Sequence, residues 1–148
     1  MAIEKIDIRD SDPEFKRFKN KLKDNPRHVD IGIFGAKSGS DMVQKASQNE
    51  FGTERIPERS FIRAGIDKHK VAYIKFMKKA AANIAAGVAS KKTALMLLGA
   101  KAKGDIQTYI DIGKFEPNAP FTIAKKGSSK PLIDTGRMRQ SVDYAVEK

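Results

Sequence analysis

Apolar residues recur along the chain in two rhythms, and the change of rhythm marks the elements. Ile3 to Ile8 alternates weakly, with Ile6 and Ile8 two apart, and predicts an edge strand. Ser11-Asp12-Pro13-Glu14 then reads as a helix start, with capping side chains, Pro in the first turn and early acids facing the dipole. Phe15, Phe18 and Leu22 fall on one face of that helix, and Pro26 bars its continuation. Val29, Ile31 and Ile33 share one face of the clearest strand, over 29–35, while Gly32 and Phe34 lie on the other.

From there the rhythm becomes helical. Gly39-Ser40-Asp41 opens a short helix carrying Met42, Val43 and Ala46, which ends at Phe51-Gly52. Residues 52–60 form a loop punctuated by Pro57. Val71, Ile74, Met77, Ala81, Ile84 and Val88 recur at steps of three or four and predict a long helix over 64–89 with a narrow apolar stripe. Ser90 can cap a second helix to about Ile112, whose stripe is Leu95, Leu98, Ala102, Ile106 and Tyr109. Gly99 and Gly104 weaken that helix by about 1 kcal/mol each relative to Ala. The two helices predict a hairpin, closed at Gly113.

Residues 114–135 hold three prolines, Gly127 and two adjacent serines, the composition of a long loop or mobile arm. Thr135 to Arg139 predicts a turn of helix, and Val142, Tyr144 and Val146 alternate as a closing strand. The expected fold class is α+β: a small, mainly antiparallel sheet with one or two edge strands, packed against a long helical hairpin. A single domain spans 1–148, with residues 1–28 as an N-terminal strand and helix extension.

Charge changes this picture more than composition does. The formal net charge is +11, but residues 1–60 hold 12 basic and 11 acidic side chains, against 17 and 7 in residues 61–148. Such asymmetry suits a polyanion or an acidic partner surface. The candidate residues facing DNA or an acidic partner are Lys75, Lys78, Lys79, Lys91, Lys92, Lys101, Lys103, Lys125, Lys126 and Lys130. The bland alternative is a well-solvated helix pair. There is no cysteine, which removes disulfides, thiolate zinc sites and a cysteine nucleophile. No apolar run approaches the ~20 residues of a membrane span.

Signs of chemistry are sparse. His28 and His69 lie far apart without a second ligand at helical spacing. Gly35-Ala36-Lys37-Ser38-Gly39-Ser40 follows a strand and precedes a helix, yet lacks the Gly-Lys-[Ser/Thr] ending of a phosphate loop. No serine sits in Gly-x-Ser-x-Gly. The expectation is a protein that is not an enzyme, with no cofactor, metal or small-molecule substrate.

Two segments are more specific. The first is Asn49-Glu50-Phe51-Gly52-Thr53 followed by Ile56-Pro57-Glu58-Arg59-Ser60-Phe61-Ile62-Arg63. The second runs from Ala119 to Ser141 and contains Pro131-Leu132-Ile133-Asp134-Thr135-Gly136-Arg137-Met138-Arg139-Gln140-Ser141. Together they resemble the neck and tail-completion proteins of tailed bacteriophages, the virion-morphogenesis group of the lambda minor-tail-protein Z type. Order and spacing match over residues 29–146. Ser60 stands where that family often has Pro, and Met138 where Leu is common.

The resemblance implies a homo-oligomeric ring of six subunits at the head–tail junction of the virion, assembled in the host bacterial cytoplasm. Neck, connector and tail-tube proteins would be its partners, with genome DNA passing non-specifically through the lumen. Completion, terminator and connector positions all remain open. The expected contact residues are Phe51, Gly52, Thr53, Ile56, Pro57, Arg59, Phe61 and Arg63 in the first segment, and Leu132, Ile133, Asp134, Arg137 and Arg139 in the second. Asp134 and Thr135 are expected to cap the turn carrying the two arginines. The rival reading is a cytoplasmic, non-specific nucleic-acid-binding protein acting through its basic helical half.

Overall fold

The computed structural model describes residues 12–23, 26 and 28–147. The predicted strand at 3–8 lies outside them, as do the side chains of Phe18 and Leu22. The fold is α+β. Helix α1 (Pro13–Lys23) begins where Asp12 Oδ1 accepts the Glu14 amide at 2.8 Å. Strand β1 (His28–Ile33) leads through the single turn α2 (Gly35–Ser38) into α3 (Ser40–Phe51). The long helices α4 (Ile62–Ala85) and α5 (Lys91–Ile112) form the predicted hairpin, and Ser90 Oγ caps α5 by accepting the Thr93 amide at 3.0 Å. Short helices α6 (Pro120–Lys126) and α7 (Arg137–Ser141) precede strand β2 (Val142–Glu147).

β1 and β2 pair antiparallel, with Val29 opposite Val146, Ile31 opposite Tyr144 and Ile33 opposite Val142. Among the described residues this is the whole sheet, so the expected further strands are not found there. The sheet lies on α5. A Cβ at Gly99 would sit 2.4 Å from Tyr144 Cδ2 and 2.9 Å from Val29 Cγ2. Gly99 is therefore a contact point between helix and sheet, not merely a weak helix former. The α5 stripe falls as predicted: Leu95, Ala102 and Ile106 are buried, Leu98 and Tyr109 half-buried. The core gathers Phe61, Ile106, Ile110, Val142, Ala46 and Leu132.

The α4 stripe falls only in part as predicted. Val71 is 67% exposed and Ile74 and Ala81 are exposed, Met77 and Ile84 are half-buried, and Val88 lies past the end of the helix. The buried positions of α4 are Gly65 and Ala80, with Tyr73 half-buried. Small residues let α4 approach α5 closely: Gly65 lies so near that an added Cβ would be 3.4 Å from Ile106 Cγ1. A polar tie then fixes the rotation of α4, because the Tyr73 hydroxyl donates to Asp105 Oδ2 at 2.9 Å. Burial, followed by that carboxylate, pushes the Tyr73 hydroxyl above its usual pKa range.

Residues 114–135 also depart from expectation. They contain α6, which starts at Pro120 and ends on Gly127 at φ 68°. The segment closes back onto the core through Leu132, a residue at φ 63°. That left-handed backbone is uncommon for leucine, and burial of its side chain holds it in place.

Candidate docking surface

The first motif segment is organised by Glu50, at the end of α3 and only 4% exposed. The four leading amides of an α-helix have no partner within it. Glu50 supplies one from outside α4. Its Oε2 accepts from the Phe61 and Ile62 amides at 2.8 and 2.9 Å. Its Oε1 accepts from the Arg63 amide, Arg63 Nε and Ser60 Oγ at 3.0, 3.0 and 2.9 Å. Burial alone would raise this carboxyl's pKa; the amides of Arg63, Ile62 and Phe61 and the Ser60 hydroxyl outweigh it and hold the pKa below the ordinary value.

Between Glu50 and α4 the chain makes a tight excursion. Gly52 has φ 73°, and a Cβ there would lie 3.0 Å from the Glu58 amide nitrogen and 3.2 Å from the Ile56 oxygen. Thr53 Oγ1 accepts the Ile56 amide at 3.0 Å, and the Thr53 amide donates to the Ile56 carbonyl at 2.8 Å. Arg59, buried, donates from Nε to the Glu116 carbonyl at 2.7 Å, from Nη2 to the Pro117 carbonyl at 2.9 Å and from Nη1 to Asn49 Oδ1 at 3.1 Å. Burial lowers its pKa, and the Glu116 charge opposes that shift.

These bonds draw the two motif segments around one open groove of about 430 Å³. The first segment contributes Asn49, Ile56, Pro57 and Arg59 to its wall; the second contributes Ala119, Thr122, Lys126, Leu132, Asp134, Thr135, Arg137 and Met138. Met42 and Lys45 of α3, Arg55 between the halves of the first segment, and Asn118 complete it. Five cationic side chains (Lys45, Arg55, Arg59, Lys126, Arg137) face one carboxylate, Asp134.

Not every expected contact residue is open to a partner. Phe61 is fully buried in the core, Leu132 is a core residue that also reaches the groove, and Ile133 is half-buried against the core. For Phe61 the place inside the monomer corrects the expectation of partner contact: a loop that closes over the end of α5 must bring its own apolar side chains. Arg59 lines the groove but is buried, its donors spent on two loop carbonyls and Asn49. Arg63 joins the Glu50 cap, reaches Glu58 Oε1 at 2.8 Å and lies 4.7 Å above the Phe51 ring. Phe51 itself is 63% exposed beside an apolar notch lined by Ile33, Val43 and Ile62. Arg139 pairs through Nε with Asp111 Oδ2 at 2.9 Å. The expected cap of α7 is also corrected: no side chain caps it, and Gly136 at φ 75° occupies that position.

The candidate lysines separate. Lys126 lines the groove. Lys101 pairs with Asp105 and Lys103 with Asp143, both at 3.2 Å. Lys75, Lys78, Lys79, Lys92, Lys125 and Lys130 are exposed, and Lys91 is half-buried. Asp143 also binds Lys37, and with that hydrogen bond as the main cause its carboxyl is lowered to about 2. Sequence reasoning passed over Glu50, Lys45, Asn49, Arg55 and Asn118. Met42, Lys45 and Asn49 stand at steps of three and four on α3, a usable signal; nothing local marks Glu50 as the cap of a helix eleven residues on.

Among the described residues no group of three or more His, Asp or Glu is placed to hold a metal ion, and no helix is long and apolar enough to cross a membrane. The chain matches no family model, no curated protein and no solved structure.

Proposed function

We propose that the protein is a structural component of a tailed-phage virion, a ring-forming neck or tail-completion subunit that joins or closes the tail at the head–tail interface. It acts without catalysis, alongside copies of itself (six in the ring that the resemblance implies) and neighbouring neck, connector and tail-tube proteins. One observation carries the reading: the two segments that bear the resemblance, far apart in the chain, line a single open groove. Phe51 and Phe121 support it as large apolar side chains left 63% and 78% exposed, the kind of anchor that partner burial rewards.

The rival, non-specific nucleic-acid binding through the basic helical half, has two of its lysines already committed to Asp105 and Asp143. The test pairs thermal melting with complementation of phage assembly for Phe51→Asp and Phe121→Asp. Normal melting with loss of infectious particles is expected. Normal melting with full infectivity overturns the reading, and salt-dependent duplex binding by the isolated wild-type protein would then favour the rival.

A further inference from the structure

The groove has a chemistry that the docking reading leaves unspecified. Its floor is apolar: Met42 and Leu132 are buried, Ile56 and Met138 half-buried. Its rim is cationic, and among the described residues Lys45, Arg55, Lys126 and Arg137 make no ion pair with a carboxylate. Asn118 and Thr122 offer an amide and a hydroxyl within the wall. These four cations outnumber the one carboxylate in the groove, Asp134, and repel one another unless further negative charge lies between them.

We infer that the groove holds an extended acidic segment of a partner protein, anchored by an apolar side chain on the floor and flanked by carboxylates that meet the rim. The inference rests on the reading of this face as a docking surface. Charge complementarity selects acid over base. The apolar floor favours peptide over duplex nucleic acid, because a duplex presents its phosphates outward and keeps its bases stacked inside, whereas a peptide can place an aliphatic side chain there. A space of about 430 Å³ accepts a few side chains, whereas a duplex is a convex rod that cannot enter it.

The methionines make the site observable. Met42 and Met138 line the groove; Met77 and Met96 lie on α4 and α5. With methyl-labelled methionine in the full chain, the probe Glu-Glu-Leu-Glu-Glu-Leu-Glu-Glu should shift the Met42 and Met138 methyl resonances and leave Met77 and Met96 in place. Lys126→Glu/Arg137→Glu should weaken binding about tenfold. Lys75→Glu/Lys79→Glu, with the same change in net charge, should weaken it less than about twofold.

Equal shifts at all four methyls, equal losses in both double variants, or a short DNA duplex that shifts Met42 and Met138 more tightly than the peptide would each overturn the proposal. Failure of the two readings is distinguishable. Groove binding as described together with normal infectivity of Lys126→Glu/Arg137→Glu particles keeps the acidic ligand and removes its role in the virion. Absence of peptide binding, with Phe51→Asp still blocking assembly, removes the acidic ligand and keeps the virion role.

Discussion

Arg63 and Arg137 sit in corresponding places, each at the start of a helix in a motif segment, yet their surroundings differ. Arg63 and its neighbour Arg59 spend their donors inside the molecule, on the Glu50 and Glu58 carboxylates and on the carbonyls of Glu50, Glu116 and Pro117. Arg137 and Arg55 project to an open groove. A motif that looks uniformly basic is therefore two devices: a latch that shapes the loop, and a rim without an ion-pair partner among the described residues. The difference is one of satisfied donors, not of residue type.

The sharpest way to break this comparison is Glu50→Gln. An amide cannot accept from all five donors and turns an NH₂ toward some of them, so a loss of about 2–4 kcal/mol is expected by chemical denaturation. A loss under half a kcal/mol, on the order of an ordinary surface substitution, would make the latch decorative. Arg59→Ala should follow at about 2 kcal/mol, since two carbonyls and Asn49 lose their donors. Amide exchange should then rise across residues 114–119 more than across α5.

Acid provides a third, smaller handle. The Asp143 carboxyl is depressed to about 2 from an ordinary 3.8, so its contribution is present above pH 4 and lost as pH falls from 4 to 2. Its partner Lys37 is largely exposed, which limits the effect to about 1 kcal/mol. Asp143→Asn should flatten the stability curve in that window. Lys126→Glu/Arg137→Glu should be smallest of all, within about 0.5 kcal/mol of wild type, because neither side chain has an ion-pair partner among the described residues. A large loss there would merge rim and latch into one structural unit.

The fold class, both strands, the hairpin and the α5 face were legible, because α5 buries a long stripe with one period. The α4 face was not. Val71 and Ile74 of its stripe point outward, while Gly65 and the Tyr73–Asp105 bond decide its rotation, and small residues carry little weight in a periodicity. Helix α6 was signalled by Pro120 and Gly127 at its two ends, but it is too short to show a period. For the groove, both motif segments reach its wall, but some of their residues lie in the core instead. Leu132, Ile133 and Phe61 read as surface anchors because loops are expected outside, yet these loops roof the core. Glu50 was invisible for a different reason: its role depends on where α4 begins in space.

The pairing of Ile33 with Val142 has a consequence for how the chain is made. When β1 leaves the ribosome its partner does not yet exist, and the stretch synthesised in between includes both long helices. Until Tyr144 arrives, β1 lacks its strand partner and the Gly99 position of α5 lacks its aromatic cover. Contacts this remote in sequence slow folding and lengthen the exposure of an unpaired strand edge. Recombinant yield should therefore respond to translation speed and growth temperature, with the soluble fraction rising as synthesis slows and the helical hairpin is given time to settle before the sheet closes over it.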